Sequence, residues 1–203
     1  MKIICIGRNY VEHAKELGNA IPEEPVIFMK PKSALLQAHT PFYYPEFTNE
    51  LHYEVELVLR VSKNGKYIQE RHAANYYNGI TVGLDFTARD IQDECKKNGL
   101  PWEKAKAFDN SAAVGKFIDV TPGFNRNDIA FSLSKNKEIV QKATSKEMIF
   151  SFDKIIANIS NYFSLNIGDL IFTGTPAGVG ECVVGDELEA FLGEQSLLSV
   201  EIK

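Results

Sequence analysis

Apolar side chains at every second position over residues 53–59 constrain this chain most, because this period predicts a β-strand with one buried face. Apolar residues occupy every second position from Tyr53, so Glu54 and Glu56 share the opposite face. Their Cα atoms would lie roughly 7 Å apart on a strand. The ordinary interpretation is the solvated face of a half-buried sheet. The alternative is a shared cation, because two carboxylates this close repel each other.

Asp85 ends the next apolar run, residues 80–84, and a strand end there would bring a third carboxylate to the pair. An aspartate in this position is most often a turn residue. Three carboxylates without a nearby cluster of His or Cys suit a hard divalent cation. If the three acids meet, the sequence therefore favours Mg²⁺ or Mn²⁺ over zinc.

Strands outnumber helices in the predicted element order. Periodicity and turn residues predict strands at 2–6, 26–29, 53–61, 80–86, two within 129–142, 169–173, 186–192 and 197–202. Helices are predicted at 10–17 with a stop at Gly18, at 88–97, and after Ser151 with a buried stripe of Ile155, Ile156, Ile159 and Phe163. This irregular order argues against a doubly wound fold. It indicates an α+β fold with a mixed, curved sheet and a few short helices, with residues 1–203 as one domain.

Two local signals predict where elements turn or begin. Asn64-Gly65 follows strand 53–61 and predicts a hairpin turn. Thr87 predicts the N-cap of helix 88–97, with Asp90 three residues further on.

Composition excludes several classes of partner. The chain has 203 residues, 44% hydrophobic and 24% charged, as in a globular domain. With a net charge of −5 and no Lys/Arg cluster, we expect no nucleic-acid partner. No apolar run approaches the roughly 18 residues of a membrane span, and no signal peptide is recognisable. The cysteines, Cys5, Cys95 and Cys182, are far apart and odd in number, so we expect reduced thiols and a cytoplasmic location.

Five motifs follow one another along nearly the whole chain. The first motif is Gly7-Arg8-Asn9-Tyr10 together with His13. The other four are residues 52–57, 83–97, 99–108 and 173–180. In this order they resemble the fumarylacetoacetate hydrolase (FAH) family, in particular its short members, the FAH-domain-containing proteins. The resemblance implies a mixed β-roll, a homodimer and a Mg²⁺ or Mn²⁺ cofactor. It also implies chemistry on short 2-oxo acids that carry a second carbonyl or carboxyl group.

The resemblance assigns roles at the proposed metal centre. It makes Glu54, Glu56 and Asp85 the metal ligands, with the ion chelating the 2-oxo acid and stabilising an enolate. Lys106 matches the family's lysine near the ion, where an ammonium adds positive charge as the enolate develops. By sequence alone, a solvated surface lysine is the simpler interpretation of Lys106, since Lys104 is close by.

His13 and Glu16 lie three residues apart and share one face of the first predicted helix. Spacing alone would leave that face in solvent. The resemblance instead implies a His–Glu pair on a mobile lid, residues 8–22, with Gly7 and Gly18 on either side of the pair. There Glu16 would orient the imidazole, and His13 would activate water as a general base.

Substrate contacts are also implied by the resemblance, at Arg8, Gln92, Gly174 and Thr175. Gln92 shares a helix face with Arg89, a face that spacing alone would leave in solvent. We expect Arg89 to tie the helix to neighbouring carboxylates. Thr175 and backbone N–H groups of the loop 173–180 would hold the substrate's carboxylate. The glycine spacing of this loop fits neither a dinucleotide fingerprint nor a P-loop.

These expectations lead to one leading function and two alternatives. The leading function is a metal-dependent acylpyruvate hydrolase, which cleaves 2,4-dioxo acids to pyruvate and a carboxylic acid. An oxaloacetate decarboxylase or an oxaloacetate keto–enol tautomerase would use the same enolate. A non-catalytic binding protein on the same fold is the third interpretation.

Overall fold

The strands of the protein are short, and most lie in two sheets whose strand pairs are mainly antiparallel. The computed structural model describes residues 1–16, 20–121 and 124–203. In chain order the strands are β1 (Ile3–Gly7), β2 (Val26–Lys30), β3 (Leu51–Tyr53), β4 (Val55–Val61), β5 (Tyr77–Asp85), β6 (Thr87–Ala88), β7 (Ala112–Val114), β8 (Ile118–Asp119), β9 (Ala130–Lys135), β10 (Glu138–Thr144), β11 (Leu170–Phe172), β12 (Gly180–Glu181), β13 (Glu187–Leu192) and β14 (Gln195–Glu201).

The main sheet is mixed. Its order is β2-β1-β11-β4-β5-β7, with β8 paired to β5. β1 runs parallel to β11, while β4 runs antiparallel to both β11 and β5. A second sheet has the order β10-β9-β13-β14, and a small third sheet has the order β12-β3-β6. The result is a curled mixed sheet with a few short helices, so the predicted α+β class is confirmed.

The helices are peripheral to these sheets. They are α1 (Val11–Glu16), α2 (Arg89–Asn98), α3 (Glu103–Lys106) and α4 (Phe152–Tyr162), with 3₁₀ turns at Lys32–Ala34, Glu70–Asn75 and Ser145–Glu147. None of the helices in the described ranges is long and apolar enough to cross a membrane. The predicted helix stop at Gly18, and residues 17–19 of the predicted lid, lie outside the described residues.

Helix α4 follows its sequence pattern closely. Ser151 is the N-cap, and its hydroxyl accepts a hydrogen bond from Lys154 N at 3.2 Å. Ile155, Ile156 and Ile159 are fully buried. The prediction is wrong for Phe163, which is the C-cap and 37% exposed, because the chain leaves the helix there in an extended conformation.

Two predicted turn signals are wrong. Asn64-Gly65 does not close a hairpin, because β4 meets β5 only after residues 62–76, and Gly65 instead bridges Leu165. Thr87 is not a helix cap, because it lies in β6 and the N-cap of α2 is Ala88. In both cases a pairing with a distant segment overrides the local preference.

The apolar core lies on both faces of the main sheet. The larger cluster fills the space towards the second sheet and α4, and it includes Leu57, Leu59 and Ile80 from β4 and β5. A smaller cluster on the other face includes Cys5, Val58 and Phe172. The three cysteines are unpaired and buried.

Candidate active site

The three acids singled out in the sequence meet inside the protein. One carboxylate oxygen from each of Glu54, Glu56 and Asp85 lies within 4.8 Å of the others, and all three residues are buried. Glu54 lies in the break between β3 and β4, while Glu56 lies on β4 directly opposite Gly83 of β5. The interpretation of Glu54 and Glu56 as a solvated strand face is therefore wrong.

Lys106 lies at the centre of this cluster rather than in solvent. Its ammonium donates to Glu54 Oε2 at 2.7 Å, to Asp85 Oδ2 at 2.8 Å and to Thr87 Oγ1 at 2.6 Å. The residue is 3% exposed. The simpler interpretation as a surface lysine is therefore wrong, because α3 turns Lys106 inward while Lys104 stays exposed.

Lys30 is a second buried ammonium that the sequence analysis missed. It ends β2, is 2% exposed, and its Nζ lies 2.7 Å from Asp85 Oδ1. It also donates to Ser111 O and Ser111 Oγ at 3.0 Å each, and to the backbone oxygen of Lys106. Lys30 therefore ties the edge strand to both the acid cluster and the end of α3.

Helix α2 contributes a third cation. The Arg89 guanidinium forms a buried ion pair with Glu54 and donates to Gln92 Oε1 at 2.5 Å. The expected link between Arg89 and a neighbouring carboxylate is thus present in the structure. Arg89 and Gln92 are both buried, so this helix face is not in solvent.

Burial and mutual repulsion set the charges of the acids. Burial raises the pKa of Glu54, but the ammonium of Lys106 and the guanidinium of Arg89 outweigh it and hold that pKa well below its usual range. For Glu56, burial and the negative charges of Asp85 and Glu54 raise the pKa well above its ordinary value. Negative neighbours therefore outweigh positive ones at Glu56, unlike at Glu54.

A divalent cation fits this donor set. Asp85 Oδ1 is buried and receives no well-directed hydrogen bond from the described residues, although Lys30 Nζ is close. Within the same ranges, Glu56 accepts one hydrogen bond, from Gly174 N at 2.6 Å. Each carboxylate has about four lone-pair sites, so acceptor capacity remains. Three buried carboxylates are the ligand type that Mg²⁺ and Mn²⁺ prefer.

The His–Glu pair closes over the same cluster. His13 is 5% exposed, and its Nδ1 lies 3.2 Å from Glu16 Oε2. Glu16 also accepts from the backbone N–H of Gly178, at 3.1 Å and 3.3 Å to its two oxygens. Burial lowers the pKa of His13, against the opposing charges of Glu54 and Glu16. The lowered pKa favours the neutral form of the imidazole.

Asn9 anchors the start of this segment. Its Nδ2 donates to Thr173 O at 2.7 Å and to Phe150 O at 3.1 Å, and its Oδ1 accepts from Phe150 N at 2.7 Å. The next residue upstream, Arg8, has a left-handed backbone with φ of 59° and lines the cavity above the acids. A non-glycine residue in this region is uncommon and often marks a functional site.

The loop after β11 covers the acids from the other side. Gly174 has φ of +102°, and a Cβ there would lie 2.6 Å from the Cβ of Asn9, so only glycine fits. Its N–H donates to Glu56, so a substrate contact for Gly174 stays a prediction. Thr175 is 3% exposed and lines the cavity.

The cavity itself is small and is lined by both charged and apolar side chains. It has a volume of about 30 Å³, room for little more than one water molecule. Most of the predicted site residues line it, namely Arg8, His13, Glu54, Glu56, Asp85, Gln92, Lys106 and Thr175. Glu16 and Gly174 stand behind this lining and hold His13 and Glu56.

Comparison with known proteins identifies the family. The family described as fumarylacetoacetate (FAA) hydrolase C-terminal matches residues 2–203. The chain belongs to the fumarylacetoacetate hydrolase family. Its relatives include oxaloacetate tautomerase YcgM of Escherichia coli (strain K12), 42% identical over 198 residues, which cover 97% of this chain and 90% of the relative. The mitochondrial oxaloacetate tautomerase FAHD1 of Bos taurus is 40% identical over 201 residues, which cover 99% of this chain and 90% of that protein.

Solved FAH-family structures share the whole fold. A fumarylpyruvate hydrolase from Pseudomonas aeruginosa, crystallised with Mn²⁺ and pyruvate, has a TM-score of 0.94 and 35% identity, with 100% of this chain and 89% of that chain covered. A family protein from Yersinia pestis CO92 has a TM-score of 0.95 and 38% identity, with coverage of 100% and 93%. The two tautomerases and the fumarylpyruvate hydrolase are thus enzymes whose named substrates, oxaloacetate and fumarylpyruvate, are small 2-oxo acids.

Proposed function

We propose that this protein is a divalent-metal-dependent acylpyruvate hydrolase, with Mg²⁺ or Mn²⁺ held by Glu54, Glu56 and Asp85. The single observation that carries the proposal is the buried His13, which contacts Glu16 and lines the same cavity as the three acids. When bound, the cation supplies Lewis-acid stabilisation of the charge that develops on the 2-oxo oxygen.

His13 is the general base in this proposal. The Glu16 carboxylate can only accept, so the neutral imidazole carries its proton on Nδ1 and presents the Nε2 lone pair to the cavity. Nε2 takes a proton from water, and the hydroxide attacks the distal acyl carbonyl. The bond between C3 and C4 then breaks to give a carboxylic acid and the enolate of pyruvate, whose C3 takes the proton that Nε2 removed from water.

Other side chains around the acids would stabilise the developing charge and bind the rest of the substrate. The Lys106 ammonium lies where negative charge develops, and it costs no reorganisation because Glu54 and Asp85 already hold it. Arg8, Gln92 and Thr175 line the cavity and would contact the substrate's carboxylate and acyl group.

The lid, residues 8–22, would have to open before a substrate binds. The cavity of about 30 Å³ is far smaller than a four-carbon acid. The hydrogen bonds from Gly178 N to Glu16 are exposed, so they can break and form again at modest cost. Closure would then bring His13 to the substrate and exclude water.

Oxaloacetate keto–enol tautomerisation is the second candidate, and the relatives named oxaloacetate tautomerase favour it. The same Nε2 would remove a proton from C3 and return one to the enolate. Decarboxylation of oxaloacetate would instead need no base, since carbon dioxide leaves from C4 directly.

A substrate panel with a matched pair of histidine variants tests these functions. Acetylpyruvate, fumarylpyruvate and oxaloacetate are assayed with Mg²⁺, Mn²⁺ or EDTA. We expect His13→Ala to lower kcat/KM for hydrolysis about 100-fold or more, because a general base contributes that much, and to slow tautomerisation as well. Decarboxylation should largely survive. His72→Ala, at an exposed histidine, is the control and should match the wild type.

Two results would contradict this assignment. Equal loss of hydrolysis and decarboxylation in His13→Ala would refute the role of His13 as the water-activating base. A wild-type protein that turns over none of the three acids with either metal would favour the non-catalytic binding protein.

We also propose an assembly and a compartment for the protein. A homodimer follows from the family resemblance, and light scattering on the purified protein tests it. The buried unpaired cysteines support a reducing compartment such as the cytoplasm.

A further inference from the structure

Gln141 is a buried amide that the sequence analysis did not single out. It lies on β10 and is 1% exposed, although glutamine is mostly a surface residue. Its Oε1 accepts from Val55 N at 2.9 Å, and its Nε2 donates to Thr175 Oγ1 and Pro176 O at 3.0 Å each. The partners fix the orientation of the amide, because Val55 N–H can only donate and Pro176 O can only accept.

A β-bulge aims this side chain. The pairing of β10 with β9 shifts between Ile139 and Gln141, so Val140 is the extra residue. Without the shift, Ile139 and Gln141 would point to the same face of the strand. With it, Ile139 is 58% exposed while Gln141 is buried, so the bulge redirects Gln141 towards the site.

The three hydrogen bonds join two parts of the candidate site. Val55 lies between the two glutamates of the acid cluster, and Thr175 lines the cavity. Pro176 lies two residues before Gly178, whose N–H binds Glu16. One amide therefore sets the spacing between the acids and the loop that faces the substrate.

We propose that Gln141 is a positioning residue that fixes the Thr175 hydroxyl as a hydrogen-bond donor to the substrate's carboxylate. Nε2 can only donate, so it occupies an acceptor lone pair of Thr175 Oγ1. The hydroxyl proton of Thr175 must then point away from Gln141, which leaves it free to donate to a substrate in the cavity. This inference rests on the proposed function, because it requires a substrate with a carboxylate.

A double-mutant cycle tests the coupling. Gln141→Met keeps the length of the side chain and removes its hydrogen bonds, while Thr175→Val removes only the hydroxyl. The dissociation constant for pyruvate is measured by calorimetry with Mn²⁺ present. We expect Gln141→Met to weaken binding about tenfold, because a hydrogen bond to a charged group is lost. In the Thr175→Val background the same change should weaken binding less than about twofold.

The controls separate this role from a purely structural one. Gln195→Met makes the same replacement at an exposed strand position and should bind pyruvate like the wild type. If Gln141→Met weakens binding about tenfold in both backgrounds, the residue only holds the loop and the proposal is overturned. A wild-type protein that binds pyruvate but turns over no 2-oxo acid would overturn the proposed function alone. The double-mutant cycle could still be measured, because it depends on pyruvate binding and not on turnover.

A crystal structure of the wild type with Mn²⁺ and pyruvate tests the geometry even if Gln141→Met fails to fold. We expect Thr175 Oγ1 to lie about 2.5–3.0 Å from a substrate carboxylate oxygen while it stays within hydrogen-bond distance of Gln141 Nε2. A Thr175 hydroxyl that contacts Gln141 but not the carboxylate would overturn the proposal.

Discussion

The buried acids of this site differ in the groups that neutralise them. Glu54 and Asp85 each face two cationic side chains, whereas Glu56 faces a backbone N–H. A charge buried without a partner is costly. The position of Glu56 therefore supports a cation at this side of the cluster more strongly than the presence of three acids does.

The pH dependence of hydrolysis should report the buried state of His13. Burial lowers the pKa of His13 from its ordinary 6.5, so the base is lost only at more acid pH. We expect the acid limb of kcat/KM to have an apparent pKa below 6.5. Glu16→Gln should move it lower still, because the Glu16 charge and hydrogen bond raise that pKa. Glu12→Gln, an exposed acid of the same helix, should leave it unchanged.

The same shift has a definite sign for stability. Below pH 6.5 the unfolded chain binds a proton that folded His13 excludes, so this residue makes the free energy of unfolding fall on acidification. A wild-type acid limb at or above 6.5 would contradict a buried, neutral His13.

At this scale the sequence analysis singled out the acids and two of their counter-charges, Lys106 and Arg89, but not Lys30. The apolar period over 53–59 placed Glu54 and Glu56 on one face, and the structure brings Asp85 to them. Lys30 was missed because a lysine at the end of an apolar strand has an ordinary interpretation at a sheet edge. Gln141 was missed because the bulge that buries it changes which face the residue occupies.

Among the elements, the loop after β11 depends on glycine for two separable reasons. Gly174 has a positive φ, and a Cβ there would also collide with Asn9. Gly168, just before β11, serves as the comparison, because it has a positive φ of +87° but open space where a Cβ would be. We expect Gly168→Ala to cost about 1–2 kcal/mol of unfolding free energy, the strain of a left-handed backbone. Gly174→Ala should cost distinctly more and should also lower kcat/KM, because the loop must move away from Asn9. Urea unfolding and steady-state kinetics measure both.

Equal costs for the two substitutions would contradict the packing of Gly174 against Asn9. Unchanged kcat/KM in Gly174→Ala would show that the loop can shift without disturbing the site.

The longer elements were predictable and the shortest were not. Helix α4 has both a cap and a periodic apolar face, so local physics suffices to find it. The three-residue strand β3 exists because it pairs with β6 and β12, which are distant in sequence and only two residues long. Such strands carry no periodicity of their own, and their existence depends on the assembled fold.

For the whole molecule, the class of fold followed from the sequence but the order of strands did not. Irregular alternation of strands and helices excluded a doubly wound sheet. Nothing local indicates that β11 separates β1 from β4, because that arrangement joins segments more than 100 residues apart.

Metal binding should stabilise the whole protein. Mn²⁺ at 100 times its dissociation constant should add about 2.7 kcal/mol to the free energy of unfolding. For a domain of this size, that raises Tm by about 5–10 °C relative to protein treated with EDTA. Glu56→Gln should lose most of this increase, and Glu194→Gln, at an exposed turn, should keep it. Calorimetry measures the shift, and an equal increase in Glu56→Gln would exclude Glu56 as a ligand.

The pairing of β1 with β11 also has a consequence for biosynthesis. Strand β1 has no neighbour on that side until residues 170–172 have left the ribosome, because Ile3 lies opposite Leu170. The acidic residues at 54, 56 and 85 are translated long before the segment that covers them. A nascent chain that stalls before that point therefore carries these carboxylates in an unfinished sheet, and the acid cluster is enclosed only after residue 174 has been translated.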